Sequence, residues 1–121
     1  MPNHVTFCPY TIGEDAYDAI PDVCAKLGSR LLLIGGKTAM EKAKPAFLEA
    51  IEGSGLTLVA ERLHGGECTF ARIDELAGEC PALGVDVVVG MGGGKAVDTA
   101  KALANKVGLP VITLPTTAST C

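Results

Sequence analysis

Residues 85–95 read Val-Asp-Val-Val-Val-Gly-Met-Gly-Gly-Gly-Lys (VDVVVGMGGGK), and the order of these residues decides the fold class. Val85 to Val89 is rich in β-branched residues, the composition of a strand buried on both faces. Gly90, Gly92, Gly93 and Gly94 follow. From Lys95 onward Ala96, Val97, Ala100, Leu103, Ala104 and Val107 recur at the 3.6-residue spacing of a helix. A strand therefore runs into a glycine turn that opens a helix. Glycine adopts backbone conformations closed to other residues and lets the chain approach a ligand closely. The helix start adds N–H groups without partners and a partial positive charge. Together they form an anion site whose natural occupant is a phosphate or pyrophosphate. Gly92, Gly93, Gly94 and Lys95 are its candidate residues. Asp98 is expected on the first turn of the same helix, as a favourable dipole partner or as a group facing the ligand. Lys101 is expected on the solvated face.

Two familiar phosphate loops do not fit. The G-x-x-x-x-G-K-[ST] loop would put its first glycine at Val89 and its hydroxyl at Ala96. The G-x-G-x-x-G loop would need glycine where Lys95 stands. The turn is a third kind of glycine loop.

Outward from this stretch, strands and helices alternate. His4 to Phe7 is a short strand candidate. Asp15 to Leu27 has helical periodicity, interrupted at Pro21 and stopped at Gly28. Arg30 to Ile34 (RLLLI) is a buried strand feeding Gly35-Gly36. Thr38 to Ile51 is a helix with Pro45 as its weak point, and Leu56 to Glu61 is a strand. Thr69 to Leu83 is a helix with Thr69 as N-cap. Lys95 to Val107 is a helix ended by Gly108 and Pro110, and Val111 to Leu114 is a further strand. This alternation predicts an α/β fold, a Rossmann-like doubly wound parallel sheet in a single domain. In such sheets the ligand lies beyond the carboxyl ends of the strands. Thr116, Thr117 and Ser119, in the Pro115–Cys121 tail, would arrive there beside the glycine turn.

The chain has 121 residues, enough for one domain of about 100–150 residues but not for two. With 48% hydrophobic and 20% charged residues it is not a disordered tail. No apolar run approaches the roughly 20 residues a spanning helix needs, so no membrane partner is expected. Ten basic against fourteen acidic residues argue against a nucleic-acid surface. Five cysteines without a CxxC pair read as buried or free thiols in a reducing cytoplasm. No signal peptide is expected at the N-terminus. His4 and His64, the two histidines, lie far from any second ligand at zinc-finger spacing. His64 is expected on a turn, Glu67 in capping the helix that follows, and Cys68 at the start of that helix.

The segments GMGGGKAVDTAKALA (Gly90 to Ala104), PTTAST (Pro115 to Thr120) and HGGECTFARIDEL (His64 to Leu76) resemble the glycerol dehydrogenases of the iron-containing, or group III, alcohol dehydrogenase superfamily. The resemblance implies the cofactor-binding half of the two-domain dehydroquinate-synthase-like fold. It implies a nicotinamide-dependent oxidoreductase in which Gly93, Gly94 and Lys95 cradle the pyrophosphate and Thr116, Thr117 and Ser119 contact the cofactor. The chemistry implied is hydride transfer from a metal-bound polyol to the nicotinamide, the metal acting as a Lewis acid. Relatives hold that metal, zinc or iron, in a helical C-terminal domain that this chain lacks, so residues 1–121 are expected to be the dinucleotide-binding domain alone. On this reading the chain is a fragment inactive by itself, and the full-length protein is a homo-oligomer acting on a small polyol. The alternatives are a stand-alone nucleotide-binding module without catalysis and a degenerate remnant. The sequence departs from the family in two places. Where relatives carry an acid that meets the adenosine ribose stand Gly36 and Lys37, which implies that NADP is tolerated or preferred beside NAD. Where relatives carry a substrate-binding aspartate after PT-x-AST stands Cys121, which cannot supply a carboxylate.

Overall fold

The two most apolar runs become the middle of the sheet. In a computed structural model, which describes residues 10–63 and 70–116, Arg30–Gly35 forms β2 and Val87–Gly92 forms β4. Only Arg30 of β2 is exposed, and β4 is buried throughout. With β1 (Tyr10–Thr11), β3 (Thr57–Leu63) and β5 (Val111–Pro115) they make a parallel sheet in the order β1-β5-β4-β2-β3.

Parallel neighbours cannot be joined by a hairpin, so helices carry the chain back across the sheet. A 3-10 helix (Glu14–Ala19) and α1 (Ile20–Cys24) lead from β1 to β2. Helix α2 (Lys37–Ile51) joins β2 to β3, α3 (Phe70–Leu83) joins β3 to β4, and α4 (Gly94–Val107) joins β4 to β5. Strand side chains alternate between the two faces. Leu31, Leu33, Val89 and Ile112 pack with Ile20 and Phe47 on the face covered by α1 and α2. Leu32, Ile34 and Val88 pack with Leu76, Ala100 and Leu103 on the face covered by α3 and α4. Burying one side chain such as Phe47 or Leu103 contributes about 1.5–3 kcal/mol. These two apolar layers are what the double winding rests on.

Several element ends differ from the sequence expectation. Pro21 opens α1 rather than interrupting a helix, because the first turn needs no N–H from it. Pro45 and Pro81 lie inside α2 and α3 without ending them, and both sit on exposed faces where water can reach the carbonyls they leave unbonded. β4 starts at Val87, not Val85, because Asp86 fastens the strand from below. Its Oδ2 accepts from the Ser29 and Arg30 backbone N–H groups at 3.1 Å each. The Arg30 guanidinium in turn donates to the Leu83 and Gly84 carbonyls at 2.8 and 3.0 Å. The His4–Phe7 strand and the Thr69 cap lie outside the described residues. Among the described residues, no helix is long and apolar enough to cross a membrane.

Candidate functional site

At the carboxyl edge of the sheet, Gly35 of β2 lies opposite Met91 of β4, and Gly92 lies opposite Pro115 of β5. From this edge the chain leaves β2 into α2 on one face and leaves β4 into α4 on the other. The crevice between two such diverging connections is where open α/β sheets bind ligands. Gly92 sits at its waist with φ +130°. A Cβ added there would lie 3.3 Å from Ala39 Cβ and 3.5 Å from Ala96 Cβ, the third residues of α2 and α4. It would also lie 3.8 Å from the Gly36 nitrogen, so the two helix starts converge on this one residue.

The glycine turn is shorter than the sequence implied. Gly90, Met91 and Gly92 continue strand β4. Gly90 is needed for close packing, since a Cβ there would stand 2.6 Å from Ala100 Cβ of α4. Gly93 alone separates β4 from α4, whose first residue is Gly94. Gly93 is the N-cap of α4 and Gly36 the N-cap of α2, both extended and both without a side-chain cap. The first backbone bonds run from Val97 N–H to Gly93 O at 3.0 Å and from Met40 N–H to Gly36 O at 2.9 Å. The amides before Val97 and Met40 therefore have no partner within their own helices. A Cβ on Gly94 would meet nothing within 4 Å, which leaves open space in front of the α4 amides.

The charges at these helix starts run against the helix dipoles. Neither α2 nor α4 has an acidic residue in its first turn. Lys37 is the first residue of α2, Lys95 the second of α4, and both are exposed. A cation at the positive end of a helix is unfavourable by roughly 0.3–1 kcal/mol. A bound anion reverses that sign at both termini.

Asp98 requires a correction. It is the fifth residue of α4, exposed and beyond the first turn, where the dipole term has already fallen away. Thr116 follows β5 directly and is 5% exposed, on the same edge as Gly92. Thr117, Ser119 and Cys121 lie outside the described residues, as do His64, Glu67 and Cys68.

Sequence reasoning passed over Lys44 and Glu61. A depression of about 290 Å³ beside the start of α2 is lined by Lys37, Met40, Lys44, Pro45, Glu61 and Leu63. Across it, Lys44 Nζ donates to both carboxylate oxygens of Glu61 at 2.7 and 2.8 Å. The available signal was the position of Glu61 close to the carboxyl end of its strand.

Cys24 and Cys80 are buried free thiols, as their lack of CxxC spacing suggested. Burial pushes the Cys24 thiol up to about 11, and burial together with the neighbouring Glu79 carboxylate raises Cys80. Among the described residues, no group of three or more His, Cys, Asp or Glu side chains could hold a metal ion.

The family pattern described as iron-containing alcohol dehydrogenase matches residues 9–121. Glycerol dehydrogenase of Escherichia coli O6:H1 is 36% identical over 111 residues, 92% of this chain and 30% of that protein. Glycerol-1-phosphate dehydrogenase [NAD(P)+] of Methanosphaerula palustris is 38% identical over 110 residues, 89% of this chain and 29% of that protein. The crystal structure of glycerol dehydrogenase from Schizosaccharomyces pombe superposes with a TM-score of 0.75 at 23% identity, covering 95% of this chain and 29% of that one, which supports the fold. The chain spans about 30% of the length of the curated relatives it matches.

Proposed function

This chain belongs to the iron-containing alcohol dehydrogenase family, and from that premise we propose that it is the dinucleotide-binding domain of a polyol dehydrogenase. The observation that carries the reading is the pair of uncapped helix starts, each bearing a lysine, that converge on Gly92 at the carboxyl edge of the sheet. A dinucleotide offers the anion that this arrangement lacks. The nicotinamide supplies the hydride acceptor, and the protein supplies position and charge.

Gly93, Gly94 and the amides at the start of α4 cradle the pyrophosphate, and Lys95 adds charge from the rim. Gly36 and Lys37 receive the adenosine end. Thr116 contributes a hydroxyl on the β5 side, and the family resemblance adds Thr117 and Ser119 as cofactor contacts. No carboxylate stands at Gly36 or Lys37 to repel a 2′-phosphate, so the domain accepts NADP as well as NAD. The relatives named for glycerol and glycerol 1-phosphate favour a small polyol as the substrate of the full-length protein. The described residues do not fit a zinc or iron site, so no step of the reaction is assigned to a metal held by this part of the chain.

Calorimetric titration of the chain with NAD+ and NADP+ tests the reading. One-to-one binding competed by ADP is the expected result. Failure of both dinucleotides to bind at millimolar concentration would overturn it, and clearly tighter binding of NAD+ would remove the NADP component alone.

A further inference from the structure

We propose that the buried hydroxyl of Thr99 strengthens the Ala96 amide as a donor to the pyrophosphate. The inference rests on the dinucleotide reading above and adds a positioning residue to it. Thr99 is the one polar side chain among the buried residues of α4, with Ala96, Ala100, Leu103 and Ala104. It has no exposed surface. Burying a hydroxyl carries a cost that a methyl does not, unless the hydroxyl is bonded. Thr99 Oγ1 donates to the Lys95 carbonyl at 2.8 Å, one turn back toward the start of α4. The helix ladder already gives that carbonyl the Thr99 N–H, so its second lone pair takes the hydroxyl.

The Lys95 carbonyl and the Ala96 N–H belong to one peptide unit. A second hydrogen bond at the oxygen draws electron density from the nitrogen and makes the N–H a stronger donor, the cooperativity of hydrogen-bonded chains. Ala96 is the third residue of α4, and its amide is among those that an N-cap side chain ordinarily takes. Gly93, the N-cap, has no side chain to offer, which leaves this amide to a ligand. Ala96 Cβ also lies 3.5 Å from the Cβ position of Gly92, where the two helix starts converge. Helix α2 has no such device. Its sixth residue, the place Thr99 holds in α4, is the exposed Lys42. The strengthened amide therefore belongs to the helix start that takes the pyrophosphate and not to the one that receives the adenosine end. Thr99 is a positioning residue that acts through the Lys95–Ala96 peptide.

Affinities for NAD+ and for inorganic pyrophosphate, measured by calorimetry on the full 121-residue chain and its variants, read the effect. Thr99→Val keeps the branched shape and removes the hydroxyl, and is expected to weaken both ligands at least about twofold. Its stability in urea should hold or rise, because the Lys95 carbonyl keeps its ladder bond and no buried polar group is orphaned. Thr99→Ser keeps the hydroxyl and keeps both affinities within about twofold of the parent chain. NMR of the ligand-free chain adds a signature that a packing role would not produce. The Ala96 amide nitrogen resonance moves upfield in Thr99→Val, as the peptide unit loses polarisation, and stays in place in Thr99→Ser. A loss below about twofold in folded Thr99→Val overturns the proposal, and so does an unmoved Ala96 resonance. Equal weakening in Thr99→Ser also overturns it, because shape and not the hydroxyl would then matter. If Thr99→Val does not fold, Thr99→Ala takes its place with the same expectations for affinity and resonance. Failure of the unaltered chain to bind either ligand would instead overturn the dinucleotide reading, and this inference with it.

Discussion

Gly90 and Gly94 are four residues apart, yet a side chain at each meets opposite surroundings. At Gly90 a Cβ would stand 2.6 Å from Ala100 Cβ, inside the packing of α4 on the sheet. Gly90→Val is therefore expected to destabilise the fold by about 1–3 kcal/mol or more, measured by urea unfolding, as overpacking does in a dense core. At Gly94 nothing lies within 4 Å of an added Cβ. Gly94→Val should leave stability within about 0.5 kcal/mol and block dinucleotide binding by filling the phosphate space. Lys95→Ala should weaken binding less, since the backbone donors remain. Undiminished binding by folded Gly94→Val would refute the cradle. Cys24 gives a prediction of a different kind. Its thiol ionises at about 11 in the fold, against 9.0 for an unperturbed cysteine. Burial favours the neutral form, so between about pH 9 and 11 the unfolded chain carries fewer protons than the folded one and stability falls as pH rises. Below pH 9 the full contribution is present. Cys24→Ala should flatten this part of the pH–stability curve, and an identical slope would argue against it.

At the scale of elements, the charges at the helix starts conflict with the helices they begin. Lys37 and Lys95 sit at the positive ends of α2 and α4, where an acid would stabilise the free protein. Lys37→Glu and Lys95→Glu should therefore each raise the stability of the ligand-free chain by up to about 1 kcal/mol while weakening dinucleotide binding. Denaturant melts with and without NAD+ measure both effects, and a variant that gains both stability and affinity would contradict the argument. The elements themselves were largely legible in the sequence, because β2 and β4 are short apolar runs next to glycine and α4 has clean helical spacing. What was not legible has physical causes. Glycine-rich composition made residues 90–92 look like turn, although Gly90 and Gly92 remain in strand β4 because α4 and the helix starts pack closely on it. Asp98 was placed in the first turn because a turn taken to extend through Gly94 hid how early α4 begins. The Lys44–Glu61 pair was invisible because its partners, 17 residues apart, meet only when β3 lies beside β2 in the folded sheet.

At the scale of the whole molecule, the site joins the two halves of the core. The layer under α1 and α2 and the layer under α3 and α4 share only the sheet between them. A ligand held at the starts of α2 and α4 binds across both layers and requires both to be folded. It binds the native chain and not the unfolded one, so stability must rise by mass action, about 2.7 kcal/mol at a hundredfold excess over its dissociation constant. For a chain of this size that is a shift of several degrees in melting temperature. Inorganic pyrophosphate should reproduce part of the shift, because it satisfies the α4 amides, and a dinucleotide should produce more, because it also reaches Lys37 and the depression beyond it. The pyrophosphate component should weaken as sodium chloride is raised, since both lysines are exposed and open to screening. A thermal melt with each ligand at two salt concentrations separates these terms. Equal shifts from pyrophosphate and dinucleotide would mean that the α2 start contributes nothing, and the ligand would then be a simple anion at α4 alone.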